Sequence, residues 1–192
     1  MTTVAGTLKG WAGRSVVSDR RATAAIGVAA FVLATSFGAY VAVPLPLTPV
    51  PMTLQPLFVI LAGVALGPRL GAAAMAAYLA MGAAGAPVFS GGHAGLPWLM
   101  GPTGGYLVAM PAAAFVAGAV AGASRRSRLL AGLALGIVTL YVGGLSQLFI
   151  LTRGEPGGLL ALGVLPFLFG DVVKVLIAFL LAGPIRSSSL GR

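Results

Sequence analysis

The sequence predicts an all-α membrane protein, a bundle of six transmembrane helices with both termini on the cytoplasmic side. Three observations predict it. The 192 residues are 58% hydrophobic and 8% charged, with a mean hydropathy of +1.02. Apolar runs recur at lengths suited to a hydrocarbon core about 30 Å thick, which takes roughly 20 helical residues to cross. The basic residues concentrate on alternate connections between those runs, which is the asymmetry that orients membrane helices. At roughly 20 residues per span plus short loops, the chain has room for about six spans and none for a separate soluble domain. Residues 1–192 are therefore expected to form a single integral membrane domain.

The N-terminal segment, 1–21, carries Lys9, Arg14, Arg20 and Arg21 and is expected in the cytoplasm. The apolar stretch behind it is too long and too deep in the chain for the hydrophobic region of a cleaved signal peptide. The expected spans are 22–43, 53–67, 70–86, 104–123, 129–151 and 159–183. The second and third are short, and Gly67-Pro68-Arg69 interrupts what would otherwise be one long run. Six spans bring both ends to one side. That side holds Lys9, Arg14, Arg20, Arg21, Arg69, Arg125, Arg126, Arg128, Arg186 and Arg192, and the opposite side holds Arg153 alone. Basic residues in short loops favour the cytoplasm, so the loops 44–52, 87–103 and 152–158 face outward.

Composition also narrows the chemistry. The net charge of +9 raises nucleic acid as a partner, but the basic residues flank apolar spans rather than forming a basic face interleaved with aromatics, so none is expected. With no cysteine and one histidine, His93, the sequence predicts no disulfide, metal site or cofactor. A Gly-x-x-x-x-Gly-Lys-[Ser/Thr] motif is also absent, so this sequence supplies no P-loop ATPase of its own.

The most informative feature is the pair Asp171 and Lys174, the acid and amine lying inside the apolar stretch 159–182. A charged side chain at the middle of a bilayer costs roughly 2.5–3.5 kcal/mol on insertion scales and usually faces a bundle interior or polar cavity. At a spacing of i and i+3 both emerge on one helix face, where they reach the same small molecule. The competing reading is that they only neutralise each other. A sequence needing only a stable span would place Leu or Ala at both positions.

Two external loops have unusual character. The segment Val43-Pro-Leu-Pro-Leu-Thr-Pro-Val-Pro-Met-Thr-Leu-Gln55 is stiff, and Pro87-Val-Phe-Ser-Gly-Gly-His-Ala-Gly-Leu-Pro-Trp98 is apolar and glycine-rich. Proline restricts the conformations to be lost on ordering and glycine permits close backbone approach, so such loops suit a lid over an apolar pocket. Trp98 and Phe89 are candidates to line it, with anchoring at the membrane interface the alternative. Further candidates are Thr53 and Gln55, Ser90, Thr103 and Tyr106. The ring of Tyr106 suits packing on a ligand, and its hydroxyl suits either a ligand or a helix-end anchor. Gln147 faces either the pocket or a neighbouring helix. Arg69 reads as an orientation signal or partner contact, His93 as a loop residue, and Arg153 with Glu155 as a solvated pair.

Several separated segments resemble the BioY family of biotin transporters, the substrate-binding S components of energy-coupling-factor (ECF) transporters. They are Pro49-Val-Pro-Met-Thr-Leu-Gln55, Leu61-Ala-Gly-Val-Ala-Leu-Gly-Pro-Arg-Leu-Gly71, Gly85-Ala-Pro-Val-Phe-Ser-Gly-Gly92, Gly101-Pro-Thr-Gly-Gly-Tyr106 and Gly163-Val-Leu-Pro-Phe-Leu-Phe-Gly-Asp-Val-Val-Lys174. Their order and spacing across 43–182 make the resemblance specific. It implies a six-helix protein of the prokaryotic plasma membrane, embedded in lipid, that captures biotin from outside and is not an enzyme. Asp171, Lys174, Tyr106, Gln55, Thr53, Ser90 and Trp98 are the substrate-binding candidates on that reading. Asp171 suits the two ureido N–H groups of biotin, since charge-assisted hydrogen bonds are about twice as strong as neutral ones. Lys174 suits an oxygen of the ligand, ureido or carboxylate.

The resemblance also implies partners, namely a transmembrane coupling subunit and two ATP-binding cassette ATPases. Ala25 and Ala29, and Ala30 and Ala34, are small residues at four-residue spacing on the first span, a pattern that permits close helix approach. Association with a second copy of the chain remains open on the sequence. So does an S component or carrier for another small vitamin, which the Asp171-x-x-Lys174 segment argues against. An intramembrane enzyme would need paired carboxylates or a histidine cluster, which the sequence lacks.

Overall fold

The computed structural model describes residues 20–122, 125–153 and 156–189. Lys9, Arg14, Glu155 and Arg192 lie outside these residues, and with them the expected N-terminal segment and the expected Arg153–Glu155 pair.

Helix α1, Arg20–Tyr40, is built from Ala, Val, Ile and Phe and buries only Thr35, Gly38 and Ala39. Its remaining faces carry Ile26, Leu33 and Phe37 exposed, as suits a helix whose surroundings are apolar. Ala25, Ala29 and Ala30 also face outward, and Ala34 is half-buried. The chain then forms a two-stranded antiparallel ribbon that the sequence did not predict. Strand β1, Ala42–Val43, pairs with β2, Met52–Thr53, in the register Ala42↔Thr53 and Val43↔Met52. The intervening prolines at 44, 46, 49 and 51 lack the N–H a longer ladder requires, so the ribbon stays short.

Helix α2, Gln55–Leu66, has Pro56 in its first turn, where a missing N–H costs nothing, and α3, Pro68–Ala83, begins on Pro68 in the same way. Between them Gly67 adopts φ 83°, a conformation that glycine takes without steric penalty. The glycine-rich loop after α3 contains a 3-10 turn at Ser90–Gly92 and the short helix α4, Leu96–Leu99. Helices α5, Gly104–Ala121, and α6, Arg126–Leu151, pair most extensively. Helix α2 lies at the centre, packed against α1, α3, α5, α6 and α8. Its approach to α5 depends on small residues, because a Cβ at Gly63 would collide with the Ala114 carbonyl oxygen and one at Gly118 with the Gly63 carbonyl oxygen.

The expected continuous span over 159–183 is corrected. The chain instead forms α7, Pro156–Gly163, and α8, Leu165–Ser189, separated at Val164. Pro166 has no N–H to continue the α7 ladder, and α8 restarts with the Val164 carbonyl accepting from the Phe167 and Leu168 amides. Asp171 and Lys174 thus lie in the second and third turns of α8 rather than at the middle of one long helix.

Among the described residues, four helices are long and apolar enough to cross a membrane: α1, α5, α6 and the Leu165–Gly183 part of α8. Helices α2 and α3, at 12 and 16 residues, are shorter. At 1.5 Å per residue they rise about 18 and about 24 Å. Large apolar side chains stand exposed around the bundle, among them Leu33, Val142, Phe169 and Leu180. Inside it Val59, Ile60, Met75, Tyr78, Phe89 and Leu133 have almost no exposed surface.

Candidate binding site

Asp171 and Lys174 project from α8 toward the bundle interior and remain only 6% and 5% exposed. Their ammonium and carboxylate meet directly, Lys174 Nζ lying 2.7 Å from Asp171 Oδ1. The phenol of Tyr141, from α6, donates to the other carboxylate oxygen, Oδ2, at 2.6 Å. Tyr141 was not among the residues singled out from the sequence. The signal was its position beside Leu140 on the face of α6 that buries Leu133, Ile137, Gly144 and Leu148, since a phenol on a buried face seeks a partner.

The pair lines a cavity of about 620 Å³ counting its open mouth. Leu107, Met110, Leu140 and Phe167 provide apolar wall, and Val50 and Pro51 of the proline-rich loop reach in beside them. All seven substrate-binding candidates, Asp171, Lys174, Tyr106, Gln55, Thr53, Ser90 and Trp98, line this one cavity, as does Thr103. Residues far apart in the chain are brought together because the N-terminal ends of α2 and α5 meet the middle of α6 and the early turns of α8.

The polar lining is held in place by hydrogen bonds to the protein. Gln55 Nε2 donates to the Tyr78 hydroxyl at 2.6 Å, and that hydroxyl donates to the Val88 carbonyl oxygen at 2.8 Å. The chain of contacts ties the start of α2 through α3 to the glycine-rich loop. Thr53 Oγ1 donates to Gln55 Oε1 at 3.1 Å and accepts from the Gln55 amide at 3.3 Å. Tyr106 donates to the Gly163 carbonyl oxygen at 2.7 Å, which places its hydroxyl at the break between α7 and α8. Its ring lies over Gly144, where a Cβ would overlap it.

Other sequence candidates fall elsewhere. Phe89 does not line the cavity: it is fully buried, edge-on to Tyr78 at a ring separation of 5.8 Å, with Gly82 beneath it. Gln147 anchors helices, its Nε2 donating to the Leu99 and Gly101 carbonyl oxygens at 2.9 and 2.6 Å. Arg69 and Arg153 are exposed. His93 stacks on Trp98 at the rim. Among the described residues no cluster of three or more His, Cys, Asp or Glu side chains could hold a metal ion.

A helical bundle with several membrane-length helices, closed around an apolar cavity with a buried ion pair on its wall, defines a multi-pass membrane protein with an internal small-molecule site. The family model described as "BioY family" matches residues 12–190, and the chain belongs to the BioY family. A protein named "Probable biotin transporter BioY" from Pyrococcus horikoshii is 41% identical over 162 residues, covering 84% of this chain and 95% of that one. The "Biotin transporter BioY" of Thermotoga maritima is 36% identical over 147 residues, covering 76% and 85%. Among solved structures, the S-component for biotin from an ECF-type ABC transporter matches with a TM-score of 0.81 over 88% of this chain and 94% of that one. At 24% sequence identity, this last likeness establishes the fold.

Proposed function

We propose that the chain is the biotin-binding S component of an ECF transporter, which takes up biotin from outside a prokaryotic cell and delivers it inward. The observation that carries this reading is the Asp171–Lys174 pair on the wall of a cavity lined by all seven candidates. Family membership and the named activities of the relatives support the choice of biotin over another vitamin.

The chemistry of the cavity suits that ligand. Biotin presents an apolar thioether ring and aliphatic chain, two ureido N–H donors with one carbonyl acceptor, and a terminal carboxylate. Asp171 has one lone pair on each oxygen taken, by Lys174 and by Tyr141, which leaves further acceptor sites for ureido N–H groups. Lys174 has two remaining donors for a ligand oxygen. Tyr106, Phe167 and Leu140 offer apolar area for the rings and chain.

On this reading α2 and α3 also cross the membrane, giving six spans in one integral domain with both termini cytoplasmic. The exposed Ala25, Ala29 and Ala30 of α1, with half-buried Ala34, form the surface for the coupling subunit, and two ATP-binding cassette subunits supply the energy. The test is uptake of labelled biotin by cells carrying the chain with its energising subunits. The wild type accumulates biotin and Asp171→Asn does not; equal uptake by the variant contradicts the assignment.

A further inference from the structure

We infer that the indole N–H of Trp98 is a hydrogen-bond donor to an oxygen of the bound ligand, and that His93 is the positioning residue that holds the indole in place. The inference rests on the biotin reading and adds the role of two particular side chains.

Trp98 Nε1 is, among the described residues, the buried side-chain polar atom that has no hydrogen-bond partner. An indole nitrogen is a donor only, and a buried donor left unmet is costly, so natural structures rarely keep one without a reason. Several other donors on the wall already have protein partners, and Lys174 keeps two further N–H groups. Gln55 donates to Tyr78, Tyr106 to Gly163, and Tyr141 and Lys174 to Asp171. Trp98 lines the cavity as a residue, and its single N–H is buried at that wall without a partner.

Its position is also particular. A second, outer cavity, formed by the proline-rich first loop and the glycine-rich second, shares Pro51, Ser90 and Trp98 with the inner one. Trp98 therefore stands at the wall the two spaces share. His93 lines the outer cavity alone and stacks on the indole at a ring separation of 3.7 Å and an angle of 16°. Trp98 lies on α4, a single turn that begins after Gly95, and one part of its ring packs against the core. The imidazole covers a ring face. The ligand group that answers the donor is an oxygen acceptor, and biotin has two, the ureido carbonyl and the carboxylate.

The experiment measures equilibrium binding to wild type, Trp98→Phe, His93→Ala and His93→Phe. Three ligands are compared: biotin, 2-iminobiotin without the ureido oxygen, and an analogue with methyl in place of the carboxylate. Trp98→Phe keeps an aromatic ring but loses the N–H together with part of the apolar area, so biotin binding falls by on the order of tenfold or more, and the comparison among the three ligands separates the lost hydrogen bond from the lost area. The hydrogen-bond share of that penalty disappears for whichever analogue lacks the contacted oxygen. His93→Ala weakens biotin binding and His93→Phe, which preserves stacking, restores it. In a Trp11→Phe background, saturating biotin shifts the emission of Trp98. Wild-type affinity in Trp98→Phe, a penalty equal for all three ligands, or unchanged Trp98 emission overturns the donor role. Failure of His93→Phe to restore binding overturns the positioning role. A wild type that binds no biotin overturns the underlying functional reading and is distinguishable from all of these.

Discussion

The phenol of Tyr141 donates to Asp171 Oδ2 at 2.6 Å, from a helix thirty residues earlier in the chain. The contact fixes the carboxylate between α6 and α8 and leaves Oδ1 for Lys174. An ion pair confined to one helix would orient itself by its own rotamers alone. Here a second helix sets the angle at which the carboxylate meets the cavity.

Replacing Tyr141 with Phe removes that donor while keeping the ring. Hydrogen bonds to charged groups contribute about 1.5–3 kcal/mol, so biotin binding is expected to weaken roughly tenfold or more. Titration of the purified variant with labelled biotin checks this; unchanged affinity would mean that Lys174 alone orients Asp171.

The ion pair has a structural and a binding role, and the two separate experimentally. Removing one partner leaves an uncompensated buried charge and costs about 3–5 kcal/mol, whereas removing both together is often neutral. Lys174→Met is therefore expected to lower the melting temperature in detergent, and Asp171→Asn with Lys174→Met to recover it. Neither protein should bind biotin. Binding by the stable double variant would reduce the pair to a packing device.

Tyr78 transmits the position of Gln55 to the glycine-rich loop through its contact with the Val88 carbonyl. Tyr78→Phe leaves the Gln55 amide and the Val88 carbonyl without this partner, at a cost of about 1–3 kcal/mol. For a chain of this size each kcal/mol shifts the melting temperature by roughly 2–4 °C. A thermal scan that shows no change would mean that Gln55 is held by Thr53 alone.

The outer face of α1 is expected to act in coupling and not in binding. Ala29 is exposed and lines neither the inner nor the outer cavity. Ala29→Trp should leave biotin affinity unchanged and reduce energised uptake and co-purification with the coupling subunit. Normal uptake would move the docking surface elsewhere.

Much of the helix placement was legible because glycine and proline punctuate the apolar runs. Gly67-Pro68 separates α2 from α3, and Gly101-Pro-Thr precedes α5, where the expectation was for breaks. The break at Val164 was hidden, since the residues on both sides are apolar and Pro166 read as part of a continuous span. The ribbon of Ala42–Val43 with Met52–Thr53 was also hidden, because two-residue strands leave no periodicity to detect. At the cavity, Asp171 and Lys174 stood out by the cost of placing charge in an apolar run. Tyr141 did not, because tyrosine is amphipathic and common near membrane surfaces. Phe89 shows the opposite error: an aromatic in a loop suggested a lid, yet Gly82 leaves room beneath it and it packs into the core.

The most direct test is equilibrium binding of labelled biotin to the purified, detergent-solubilised chain, with Asp171→Asn and Lys174→Met alongside and thiamine and riboflavin as competitors. The account predicts saturable biotin binding that both variants lose and neither competitor displaces. A folded wild-type chain that fails to bind biotin, or releases it to another vitamin, would contradict it.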